Sequence, residues 1–257
     1  MRAPSRAILN WPASAAALAL ALAPAPALAA SVTPSGPAVA ENLLRIELRL
    51  DRPLAAPLDM AHVVLLDSAG APIRDAFFDL PLPDQNGMKA TLLLHPGRIK
   101  SGVGPNLAVG PALRSGQFVT LRIDDPQLGR PLEQHWWVTA PLRQRIDPQQ
   151  WLVKTARRGG RQPLRVMLAA ALDGAAAALI AVQGPDGRRV SGAATLTAGE
   201  REWRFTPTRQ WRSGAYLLRI HPQLEDPQGN RLCSAFEQAG QSALPCEDEG
   251  RLAFVID

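Results

Sequence analysis

The sequence predicts an all-β protein of two tandem sandwiches, and three observations carry that expectation. Apolar residues alternate with others in short segments about ten residues apart, and no convincing helix exceeds a turn or two. The 24 prolines and 20 glycines are spread through turn-like settings without a low-complexity run, as many short strands require. The segments of one half also recur in the other. With 257 residues, 46% of them hydrophobic, the chain is long enough to bury two cores of ordinary size.

Taken in order, the chain opens on a leader. Arg2 and Arg6 make a positive start, Ala15 to Ala23 an apolar run, and Ala27-Leu28-Ala29 an A-x-A cleavage site. Residues 1–29 therefore read as a signal peptide cut between Ala29 and Ala30, and the mature protein is expected to be secreted or periplasmic. The apolar run falls short of the roughly 20 residues a membrane span needs, so no transmembrane segment is expected after cleavage.

Four pairs of segments then match. Residues 42–50 answer to 162–168, both alternating in polarity. Residues 63–73 answer to 179–190, each a strand that enters a glycine turn and leaves on an apolar residue, as in a hairpin. Residues 89–96 answer to 202–207, each ended by a proline that cannot extend a central ladder. Residues 113–123 answer to 211–220, sharing Arg-Ser-Gly and Leu-Arg-Ile, with Phe118 standing for Tyr216.

The offset between copies falls from 120 residues at Leu44/Leu164 to 98 at Ser115/Ser213, so the first copy carries an insertion, placed at 97–111. The resulting organisation is a first domain over 31–140, a proline-bounded linker over 141–150 and a second domain over 151–257. Only Ala169 to Ala178 reads as helical by propensity.

Both copies resemble the bacterial Ig-like domain of the SbsA type, found in S-layer and other surface proteins. In the second copy, Asp226-Pro227-Gln228-Gly229-Asn230 is similar to the closing "D-x-x-G-N" turn, and Arg212-Ser213-Gly214-Ala215-Tyr216 stands where that family has "x-P-G-x-x-Y". The first copy keeps the turn at Asp125-Pro126-Gln127-Leu128-Gly129 without the asparagine. His95-Pro96-Gly97-Arg98, Ile146-Asp147-Pro148 and Trp203-Arg204-Phe205-Thr206-Pro207 together resemble a group of exported two-module bacterial proteins of unknown function. The resemblance implies immunoglobulin-like sandwiches at the cell envelope and no shared catalytic residues.

The chemistry-bearing residues point the same way. No nucleophile elbow, H-E-x-x-H helix, P-loop or dinucleotide fingerprint occurs, and His62, His95, His135 and His221 are scattered, so no catalytic residue, metal ligand or cofactor is assigned. Asp124, Asp125, Asp226 and Asn230 have the hard oxygens calcium takes, and turn chemistry accounts for them equally. Cys233 and Cys246 are the only cysteines; in an oxidising compartment they are expected to form a bridge worth about 3 kcal/mol.

The net charge of +5 falls to +3 without the two leader arginines, and no nucleic acid is expected; the densest basic stretch, Arg157 to Arg161 with Arg165, reads as a solvated loop. In His135-Trp136-Trp137, strand alternation sends one tryptophan inward and leaves at most one outside. Trp151, Trp203 and Trp211 are expected in the second core.

Three functional readings stand: a non-enzymatic binding or structural module of the envelope, a carbohydrate-binding or adhesin protein, and a secreted hydrolase without a recognisable motif. For the first, the partner is an envelope protein or glycan. The insertion is expected to be a long surface loop that offers Arg98 and Lys100 to an acidic partner, or else covers the sandwich end.

Overall fold

The computed structural model describes residues 30–99, 102, 104–236 and 250–257. The leader, Lys100 and Cys246 lie outside the described residues. In the first half the strands are β1 (Ala30–Thr33), β2 (Ala38–Ala40), β3 (Arg45–Leu50), β4 (Val63–Leu66), β5 (Leu82–Pro83), β6 (Lys89–Leu93), β7 (Phe118–Ile123) and β8 (Leu132–Thr139). The second half holds β9 (Leu152–Lys154), β10 (Leu164–Met167), β11 (Ile180–Gln183), β12 (Gly192–Thr197), β13 (Glu202–Pro207), β14 (Gly214–Ile220) and β15 (Gly250–Ile256).

Alternation explains why these segments pair as sheets. In β7, Val119, Leu121 and Ile123 point inward and are buried, and in β8 Trp136 and Val138 do the same. Each such side chain contributes about 1.5–3 kcal/mol of transfer free energy when fully buried. Two cores result. One gathers Val32 to Val138, the other Trp151 to Ile256, with Trp151, Trp203 and Trp211 all inside.

Strand order identifies the architecture. In the second half one sheet runs β12-β13-β10-β9 and the other β11-β14-β15. Lettered along the chain, these are the ABED and CFG sheets of a constant-type immunoglobulin domain. The first half repeats the arrangement as β1-β3-β6-β5 and β8-β7-β4, with β2 added in parallel along the outside of β8. Both halves are immunoglobulin-like sandwiches.

A tyrosine corner confirms the second. Tyr216, at the start of β14, donates its hydroxyl to the Arg212 carbonyl at 2.8 Å and accepts from the Arg212 N–H at 3.2 Å. Around it Trp203, Phe205, Trp211, Tyr216 and Phe254 form a continuous aromatic series, with neighbouring centroids 5.3–6.1 Å apart.

Three sequence expectations need correction. The insertion is not an irregular loop: it forms the short helices α1 (Pro96–Ile99) and α2 (Gly104–Val109). Pro105 sits in the first turn of α2, and Gly110, at φ +77°, closes it by donating to the Asn106 carbonyl. The helices touch so closely that a Cβ at Gly97 would lie 2.8 Å from Pro105. In the segment expected to be helical, only Ala176–Leu179 forms a helical turn, of the 3-10 type; the rest is drawn into the sandwich edge through Leu172, which is buried. Finally, Phe118 does not stand in the place of Tyr216, as described below.

The halves meet through a polar junction. Arg45, on β3, lies 2.8 Å from Asp173 and also pairs with Glu225, and it donates to the Asp226 carbonyl at 3.1 Å. Leu142 is held from both sides. Asn42 bonds its N–H and its carbonyl at 2.8 and 2.9 Å, and Asn230 donates to the same carbonyl at 3.1 Å. At a third point Glu200 accepts from the N–H and the hydroxyl of Ser35, both at 2.7 Å. Ala198, Gly199 and Glu200 all have positive φ, and a Cβ at Gly199 would lie 2.6 Å from the Gly36 Cα. A strained hairpin tip thus seats directly on the backbone of the other half.

Candidate binding surface

The outer face of β7 and β8 carries the candidate site. Its first rung pairs Phe118 with Trp137, the second Thr120 with His135, the third Arg122 with Glu133. The two rings lie edge to face at a centroid distance of 4.6 Å, and both are solvent-exposed, Phe118 at 60% and Trp137 at 39%. Beside them Thr120 Oγ1 and His135 Nδ1 are 2.8 Å apart, and Arg122 bridges Asp124 at 3.1 Å and Glu133 at 3.5 Å. The face passes from apolar to hydrogen-bonding to charged within three rungs.

One extra residue sets Phe118 on this surface. Residues 113–123 number eleven where 211–220 number ten, so counting back from the shared Leu-Arg-Ile places Val119, not Phe118, at the Tyr216 position. Val119 is buried as Tyr216 is, and Phe118 is turned to the opposite face, because the side-chain period of a strand is two. At the equivalent rung the second sandwich has Ala215 opposite Val255. The aromatic pair is thus particular to the first sandwich.

The structure separates the residues singled out in the sequence. Trp136 is buried, its indole N–H donating to the Pro34 carbonyl at 3.0 Å, while Trp137 faces out, as alternation requires. Arg98 does not offer a charge to a partner. It is 5% exposed, and its guanidinium donates to the carbonyls of Gly110 (2.7 Å), Pro111 (3.2 Å) and Arg74. It ties the two short helices down.

Asp226 and Asn230 are occupied with each other and with the turn. Asp226 accepts from the N–H groups of Gln228 and Asn230 at 3.0 and 2.8 Å, and from the Asn230 side chain at 2.8 Å. Burial pushes the Asp226 carboxyl up to about 6 against the pull of those donors. In the first sandwich Asp125 likewise accepts from the N–H of Gln127 at 2.9 Å.

Arg165 leaves the basic stretch to pair with Glu202 at 3.0 and 2.6 Å. That pairing, with Arg204 adding to it, holds the Glu202 carboxyl down at about 2. His95 and His221 each accept a local backbone N–H, at 3.0 and 3.2 Å.

No protein-family model matches the chain, and no curated protein does. Solved structures similar to it include domains 5–6 of the S-layer protein SbsC, at 9% identity and a TM-score of 0.28, over 90% of this chain and 98% of that one. A chimeric titin Z1Z2 is 11% identical with a TM-score of 0.23, over 77% and 91%. The BSP domain of a biofilm-associated protein is 9% identical with a TM-score of 0.22, over 70% of this chain and 25% of that one. The strand order and the tyrosine corner, rather than these likenesses, carry the fold. Among the described residues no helix is long and apolar enough to cross a membrane.

Proposed function

We propose that this protein is a non-enzymatic binding module of the cell envelope and that it engages its partner through the Phe118–Trp137 face. The observation behind this reading is the exposed aromatic pair, built on one sandwich by a single added residue and replaced by Ala215 and Val255 on the other. Exposed aromatic rings are costly to leave in water and supply much of the energy of recognition when covered. A glycan is the favoured ligand. The Thr120–His135 rung sets hydroxyl and imidazole groups beside the rings, suiting a ligand with an apolar ring face edged by hydroxyls.

The test is a glycan array followed by titration of the best hit. Phe118→Ala and Trp137→Ala should each weaken binding roughly tenfold or more without lowering the melting temperature. Undiminished binding by both variants would remove the face from consideration.

The same reading includes export after cleavage near Ala29, with Cys233 and Cys246 joined in the mature protein. Thiol titration of the unfolded, unreduced protein should then detect no reactive thiol, and two would refute the bridge.

A further inference from the structure

The two sandwiches treat their last strands differently. In the first, β8 is flanked on its outer side by β2, in the register Ala38↔Trp137, Val39↔Val138 and Ala40↔Thr139. In the second, β15 is the terminal strand of its sheet, with β14 on one side and no strand on the other among the described residues. Gly250 and Arg251 lie against Pro148, Gln149 and Leu232, and the rest of β15 leaves an edge that contains no proline and no lysine, the usual devices that blunt an edge against pairing.

A single contact reveals which backbone groups face outward. Gln149 donates its side-chain amide to the Arg251 carbonyl at 3.0 Å from the open side. In an antiparallel strand the N–H and C=O of one residue point the same way and alternate along the chain. The backbone groups of Ala253 and Val255 therefore face the open edge as well, and those of Leu252, Phe254 and Ile256 face β14. Arg251, Ala253, Val255 and Asp257 are exposed, Val255 at 56%, while Phe254 and Ile256 are buried.

We propose that this edge pairs with the same edge of a second copy of the chain, antiparallel about a twofold axis through Phe254. In that register Ala253 meets the partner's Val255, both with outward-facing backbone groups, so each pair can exchange two hydrogen bonds. One rung further out, Arg251 meets the partner's Asp257, which displaces the exposed Gln149 side chain from the Arg251 carbonyl and makes an opposite-charge pair at both ends of the interface.

The charges choose the register. An axis through Ala253 would set Arg251 against the partner's Val255 and leave Asp257 without its cation, and one through Arg251 would set like charges face to face.

The interface is small, so the expected association is weak and is best read between about 10 and about 500 µM of the exported protein. Sedimentation velocity should show a monomer–dimer equilibrium over that range and no larger species. Asp257→Arg, which sets arginine against arginine, should raise the dissociation constant at least tenfold, and R251D/D257R should restore it. All these positions are exposed, and unchanged circular dichroism would verify that each variant is folded. A protein that stays monomeric throughout, or a dimer indifferent to both charge changes, would overturn the proposal.

Discussion

Asp226 is a carboxylate held where water cannot reach it, and burial raises its pKa to about 6 in the folded chain from an ordinary 3.8. A group whose folded pKa is raised contributes stability that is fully present below the unfolded pKa and is lost as pH climbs through the folded one. The window is therefore about pH 4 to pH 6. Across it the wild type should lose up to about 3 kcal/mol relative to Asp226→Asn, which cannot titrate. Denaturant titrations of both proteins at several pH values read this as a slope, independent of any fixed offset from rearranged hydrogen bonds. A difference that does not move with pH would mean that the carboxyl titrates as in water. The asparagine–aspartate turn was legible in the sequence as a turn. Its position against Arg45 is not, because the guanidinium donates to the Asp226 carbonyl across 181 residues, and no local pattern encodes such a contact.

At the level of single elements, the strands were readable because period-two alternation is written into each segment, and Trp136 and Trp137 divided between core and solvent as that rule demands. Phe118 was misread for an equally simple reason. Arg-Ser-Gly aligns with Arg-Ser-Gly, while the extra residue lies between that motif and the shared Leu-Arg-Ile; only the second anchor gives the ring its outward place. The insertion reads as a loop because Pro96-Gly97 at its start and Gly110-Pro111 at its end signal loops as readily as helix boundaries. Arg98 reads as a surface charge from its place in a long glycine- and proline-rich insertion, since nothing in the local sequence announces three carbonyls waiting for a guanidinium. Its role there is structural. Arg98→Ala should lower the stability of the protein by about 2–4 kcal/mol, because buried carbonyls lose their donors. Binding to the aromatic face should be unaffected as long as the protein stays folded. A variant as stable as wild type, measured by denaturant unfolding, would return Arg98 to the surface.

For the whole molecule, the two cores follow from the internal repeat, whereas the junction between them follows from residues that lie outside it or differ between copies. Asn42, Leu142 and Asn230 converge from three separate stretches, and Ser35 reaches Glu200 across 165 residues. The stretch over 141–150 reads as a linker because its composition is polar and bounded by prolines, and within it the Leu142 peptide groups are bonded on both sides. That arrangement bears on how the protein survives among proteases. Arg143 and Arg145 are exposed and adjoin the clamp, so trypsin has its preferred residues in plain view. Cleavage, however, requires a segment of backbone to detach and lie extended in the enzyme's cleft, and detachment here means breaking the bonds of Asn42 and Asn230 first. The native chain should therefore resist nicking between its halves. Asn42→Ala, which frees one side of Leu142, should speed cleavage at Arg143 and Arg145 by about tenfold, as mass spectrometry of timed digests would record. Equal rates for the two proteins would mean that the clamp confers no protection, and that the chain can be cut at its waist as easily as any loose tether.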